Sequence, residues 1–131
     1  MKLYLSHLST VLIQFHRELL LFQTELAEKA DDKKYSPYDL LNLSINDPRF
    51  TWLRKFSELI IKIDMITDDK KNSPFDAHAI LFLAQESISL QSPDNENLKF
   101  AMRSDTHFMV GYGQVKKAIT DFESVLKTES I

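Results

Sequence analysis

The chain contains no cysteine, only two glycines and four prolines, no unbroken apolar run of membrane length and no large excess of either charge. Without a thiol there is no disulfide framework, no cysteine-ligated metal and no thiol nucleophile. The formal net charge of −3 argues against nucleic acid, because phosphate binding needs a concentrated basic face. Here Lys33-Lys34 and Lys70-Lys71 are each offset by the two aspartates before them. The most apolar stretch, Leu3 to Phe22, is interrupted by His7, Gln14, His16, Arg17 and Glu18, and no small-residue cleavage site follows. It reads as an amphipathic helix rather than a membrane span or a signal peptide.

What is present suffices for one domain spanning residues 1–131. A chain of 131 residues buries roughly two thirds of its unfolded surface, and 44% hydrophobic content with nine Phe supplies a core without metal or disulfide. The most conspicuous pattern is a near-repeat: Asp31 to Asp39 reads D-D-K-K-Y-S-P-Y-D, and Asp68 to Asp76 reads D-D-K-K-N-S-P-F-D. In each copy serine is a cap, proline suits the first helical position, where a missing N–H has no partner anyway, and the last aspartate stands at the capping-box position. Ser36 and Ser73 are therefore expected to start helices. Asp47-Pro48 repeats the arrangement, and Ser92-Pro93-Asp94 offers Ser92 or Asp94 as a cap. The sequence flanking the two copies does not align, so they are one connector used twice.

Helical periodicity runs through the rest. Leu5, Leu8, Leu12, Phe15, Leu19, Phe22 and Leu26 alternate steps of three and four, a single stripe. Leu3, Val11, Ile13, Leu20 and Leu21 broaden it, which predicts a helix central in a bundle or lying in a dimer interface. A short helix follows, with Tyr38, Leu41 and Ile45 expected inward. From Pro48, Trp52, Leu53, Phe56, Leu59, Ile60, Ile63 and Ile66 share a face while Arg54, Lys55, Glu58 and Lys62 point away, and Lys70 and Lys71 can answer the carbonyls at the helix end. Next, Ala77, Ile80, Leu81, Ala84 and Ile88 form a core side opposite His78, Gln85 and Ser89. Residues 94–103 suit a short helix carrying Leu98, Ala101 and Met102. Phe108, Tyr112, Val115, Ile119, Phe122 and Leu126 mark the last helix. Gly111 and Gly113 each cost it about 1 kcal/mol, yet the stripe keeps register across both, which favours continuity with Gly111 at a close helix approach. The expected fold is all-α: an up-and-down bundle of four long helices (about 3–30, 48–68, 74–90 and 106–127) with short helices near 37–43 and 94–103.

The second long helix carries a resemblance. Asp47-Pro48-x-Phe50-x-Trp52-Leu53-Arg54-x-x-Ser57-x-Leu59-Ile60-x-x-Ile63-Asp64 resembles the signature of an uncharacterised bacterial family of small all-helical proteins. Leu40-Leu41, Phe100-Ala101-x-Arg103 and Val115-x-x-Ala118 are loosely similar to it. The family commonly has proline where this chain has Lys55, and its last helix lacks the Gly-x-Gly present here. The resemblance implies an all-α fold and a bacterial, cytoplasmic setting. It carries no established activity and no functional residues.

Catalytic and metal constellations are missing. A carboxylate-bridged metal site in a bundle needs Glu-x-x-His, which does not occur, and His7, His16, His78 and His107 include no i, i+4 pair. Asp31-Asp32 and Asp68-Asp69 sit beside lysines and read as solvated connectors rather than magnesium sites. Gly111-Tyr112-Gly113 follows no strand, so it is no phosphate loop. No cofactor is implied. The polar residues of interest are Arg49, Trp52, Arg54 and Asp64, which Arg103 and His107 could join. In one reading Arg49 bridges to a carboxylate or carbonyl of the preceding turn and Asp64 pairs with a cation on another helix. In the other, Arg49, Trp52 and Arg54 form a cation and aromatic patch for a carboxylate-bearing partner or ligand. The leading functional expectation is a non-enzymatic helical interaction module, in one form a homodimer, with a protein partner or self-association and neither nucleic acid nor membrane. The alternative is a small-molecule-binding bundle or an enzyme using a polar patch around Arg49.

Overall fold

The apolar stripe of the first thirty residues becomes the spine of an all-helical structure. The computed structural model describes residues 1–129. These form α1 (Lys2–Asp31), α2 (Pro37–Asn46), α3 (Arg54–Thr67), α4 (Ala77–Ile88), α5 (Glu96–Ser104) and α6 (Phe108–Glu129), with 3₁₀ helices at Pro48–Leu53 and Pro93–Asn95 and no strand among the described residues. Leu5, Leu8, Leu12, Phe15 and Leu19 are fully buried on α1, each worth about 1.5–3 kcal/mol in transfer from water. α1 packs against α3 on one side and α6 on the other, and α4 closes the ring by packing against both. Ser9 meets Asp64 and His16 meets Ser57, so α1 and α3 run antiparallel. Phe15 meets Tyr112 and Phe22 meets Phe108, so α1 and α6 do too.

The elements differ from four long helices in three places. Pro48–Leu53 winds as a 3₁₀ helix before α3. Asp47 accounts for the tighter turn: its carbonyl takes the Phe50 amide at 3.0 Å and its carboxylate takes the Arg49 amide at 2.9 Å. α4 has only 12 residues, beginning at Ala77 rather than Pro74. At its other end the side-chain amide of Asn95 donates to the carbonyls of Glu86 (3.0 Å) and Ser89 (2.7 Å), ending the helix ahead of Leu90.

The two connector copies therefore part company. Ser36 caps α2 as expected, its Oγ accepting the Asp39 amide at 3.1 Å while the Asp39 carboxylate takes the Ser36 amide at 3.3 Å. Ser73 caps nothing. Asp76 is the cap of α4, accepting from the Ala79 amide at 3.0 Å, while Asp69 holds the amides of Lys71 and Ser73, both at 2.9 Å. The copies differ at two aromatic positions: Asn72, at a left-handed φ of 51°, replaces Tyr35, and Phe75, which packs against the core, replaces Tyr38, which is 73% exposed. The α3 terminus is also answered differently. Lys2, rather than Lys70 or Lys71, reaches the Asp69 carbonyl at 2.8 Å and Asn72 Oδ1 at 2.5 Å, because the antiparallel start of α1 lies beside it.

α6 runs unbroken through both glycines. A Cβ on Gly111 would stand 2.8 Å from Phe15 Cδ1, and one on Gly113 would meet nothing within 4 Å. Gly111 thus permits the close approach of α6 to α1, and Gly113 is simply tolerated.

Candidate functional site

Arg49 is spent on its neighbours. Its guanidinium forms a forked pair with Asp47 (Nε to Oδ1 3.1 Å, Nη2 to Oδ2 2.8 Å) and a second with Asp31 (Nη1 to Oδ1 3.2 Å, Nη2 to Oδ2 2.9 Å), while the Tyr35 hydroxyl also donates to Asp31. Hydrogen bonds from Arg49 hold both aspartates below the usual carboxylate range, and those carboxylates in turn raise the guanidinium further above its ordinary value. The Asp31 hydrogen bond likewise raises the Tyr35 phenol. This network ties the end of α1 to the 3₁₀ helix and leaves no unpaired fork for a ligand carboxylate.

The other residues of interest are scattered. Half-buried Trp52 donates Nε1–H to buried Gln23 Oε1 at 3.0 Å. Exposed Arg54 donates to the Ile45 carbonyl. Among the described residues Asp64 pairs with no cation; it accepts from buried Ser9 Oγ at 2.6 Å, because the α1 face opposite it carries a small hydroxyl. His107 Nε2 lies 3.3 Å from Glu18 Oε1, and exposed Arg103 forms no ion pair among the described residues. Arg49, Trp52, Arg54, Asp64 and His107 thus anchor on Asp31, Gln23, Ile45, Ser9 and Glu18 respectively, each on a different partner.

Two other places gather chemistry. The first is an outward face centred on α2. None of its ten residues is buried, and Tyr38, Leu41 (58% exposed) and Ile45 (53%) turn to solvent instead of inward. The helix is held by its capping box, by contact with the 3₁₀ helix and by Leu43, which packs against the core, rather than by Tyr38, Leu41 and Ile45. Beside Ile45 lies a recess of about 370 Å³ between α1, α2 and α3, walled by Leu20, Phe50 and Leu53 with His16, Arg54 and Ser57. At its floor Ser57 Oγ and His16 Nε2 are 3.2 Å apart, and burial lowers the His16 pKa, favouring the neutral ring. The register set by Ser9–Asp64 and His16–Ser57 puts Ile13 and Ile61, both exposed, on the same outer seam.

The second is a groove of about 360 Å³ between the 3₁₀ segment with α3 and the α4–α5 connection, lined by Trp52, Lys55, Leu59, Leu83, Ser92 and Asp94 among others. Lys55 does not point away from the structure: it is half-buried, Nζ lies 5.3 Å above the Phe56 ring centroid, and it donates to Asn95 Oδ1, with Asn95 only 1% exposed. Burial lowers the Lys55 pKa, opposed in part by the charge of Asp94. The sequence carries one signal for this: Lys55 stands three residues after Trp52 and four before Leu59, on the flank of the apolar stripe. Nothing comparable marks Asn95, whose partners come from another helix.

Among the described residues no group of His, Asp and Glu is arranged to hold a metal ion, and no helix is long and apolar enough to cross a membrane. Comparison of the chain with protein-family models, with curated proteins and with solved structures finds no match.

Proposed function

We propose that this protein is a non-enzymatic helical interaction module that self-associates through the face formed by α2 and the outer seam of α1 and α3. The observation that carries the reading is α2, a helix that packs Leu43 against the core but leaves Tyr38, Leu41 and Ile45 each more than half exposed. Isolated helices this short are marginal in water, and an exposed apolar stripe of this kind is a common mark of an interaction surface. A protrusion and a recess stand side by side on this face: the α2 stripe, and the cleft walled by Leu20, Phe50 and Leu53. That arrangement suits a two-fold pair, whose single surface must be complementary to its own copy.

In this reading the ring of α1, α3, α4 and α6 is the scaffold, an up-and-down bundle in which the four longest helices carry the core and α2 is the docking element. The bacterial, cytoplasmic setting implied by the α3 signature belongs to the same proposal. The Ser57–His16 pair is read as a polar floor to the interface, because among the described residues no third side chain orients the imidazole as a nucleophilic site requires. The alternative of a ligand site around Arg49 is less favoured, since its guanidinium is already committed to Asp31 and Asp47.

Light scattering on the purified chain tests the proposal. Twice the chain mass of 15.2 kDa supports it, and a monomer across the accessible concentration range refutes it.

A further inference from the structure

We propose that Lys55 is a carbonyl-reactive amine, and that the groove between α3 and α4 receives a small neutral aldehyde with an aromatic or aliphatic body, which Lys55 Nζ condenses to an imine. The groove, about 360 Å³, is within the range of ~300–1,000 Å³ usual for small-ligand sites. Its walls divide by chemistry. Trp52, Leu59 and Leu83 offer apolar surface to the body of the ligand, while Glu58, Glu86 and Asp94 line the same groove and the Asp94 charge acts on the amine. Lys55 is fixed rather than free: Asn95 uses both amide hydrogens on the carbonyls of Glu86 and Ser89, so its Oδ1 is the atom turned to Nζ. A side chain held in this way has little orientation left to lose on reaction.

The chemistry balances without an added oxidant or reductant. The Nζ lone pair attacks the carbonyl carbon, the C–N bond forms, and the C=O π pair becomes an alkoxide. A proton passes from nitrogen to oxygen through a neighbouring carboxylate, and a second protonation releases water as C=N forms. The protonated imine keeps one N–H, which suffices for Asn95 Oδ1, so the buried amide is not orphaned by the reaction. Burial shifts the amine toward its uncharged, nucleophilic form.

The test uses the full chain with benzaldehyde and cyanoborohydride at neutral pH, followed by peptide mass mapping. One benzyl group should appear on Lys55 several-fold ahead of Lys62, which lines the same groove but is exposed and makes no hydrogen bond to Asn95. The preference should vanish in denaturing guanidinium. Lys55→Arg keeps a donor for Asn95 and removes the condensable amine, so this variant should lose the fast adduct while melting as the wild type does. Labelling of the native chain in which Lys55 is not ahead of Lys62 overturns the proposal, as does a preference that persists in the denatured chain. Both comparisons need only the wild-type protein.

Discussion

Gly111 of α6 faces Phe15 of α1 so closely that a methyl group on it would come within 2.8 Å of Phe15 Cδ1. The ring cannot step aside, being fully buried with Phe56 edge-on at 6.1 Å and Tyr112 at 6.4 Å. Gly113 meets nothing within 4 Å. Alanine at the two positions should therefore have opposite effects. Gly113→Ala should raise stability by up to about 1 kcal/mol through helix propensity. Gly111→Ala gains the same term but incurs overpacking of about 1–3 kcal/mol, a net loss of up to about 2 kcal/mol. Urea denaturation of both variants measures the difference.

The connector copies give a second contrast. Ser36→Ala removes a capping box and should cost about 1 kcal/mol, whereas Ser73→Ala should fall within about 0.5 kcal/mol of wild type because its side chain caps no helix. Asp76→Ala should behave like Ser36→Ala. Equal losses at Ser36 and Ser73 would contradict the assignment of Asp76 as the α4 cap.

Acid should act in two stages. His16 is buried with a lowered pKa, so as pH falls below the ordinary value of 6.5 the unfolded chain takes up the proton first and stability begins to decline. Asp31, Asp47 and Asp69 have lowered pKa values, so their contribution is complete above the unfolded value of 3.8 and is lost as pH falls through their folded values. Thermal melts from pH 8 to about pH 2 should show both declines. Arg49→Ala should flatten the lower one, leaving the part due to Asp69, and His16→Gln should remove the upper one.

Asn95 is the polar group on which the α4–α5 corner turns. Asn95→Ala deprives the Glu86 and Ser89 carbonyls of their donor and leaves Lys55 without its acceptor, and should cost about 2–3 kcal/mol in chemical denaturation. A change under about 0.5 kcal/mol would mean that water replaces the amide without penalty.

The core was written in the period of the sequence, because burial of a helix face obeys the same 3.6-residue spacing that orders the side chains. The stripe of α1, the α3 face and the unbroken α6 could all be read in this way. α2 could not. Tyr38, Leu41 and Ile45 have the spacing of a buried face, and periodicity reports that a stripe exists without saying whether the same chain covers it. The second connector was misread for a related reason: Phe75 reaches the core, a tertiary contact, and the two substitutions that separate the copies, Asn72 for Tyr35 and Phe75 for Tyr38, do not by themselves say which residue caps the helix. Arg49 was legible as a polar residue needing a partner, but its second carboxylate, Asp31, lies 18 residues away at the end of another helix. Lys55 was assigned to the solvent side of its helix because a wheel cannot show that the α4–α5 corner folds over that flank.

The central claim is that α2 is a docking element. Sedimentation equilibrium of the wild type beside a Leu41→Glu, Ile45→Glu double variant tests it most directly. Both side chains are more than half exposed, so the charges should leave the melting temperature within a few degrees of wild type. The expected result is a wild-type dimer and a folded, monomeric variant. A wild type that stays monomeric throughout, or a dimer that the two charges leave intact, contradicts the claim.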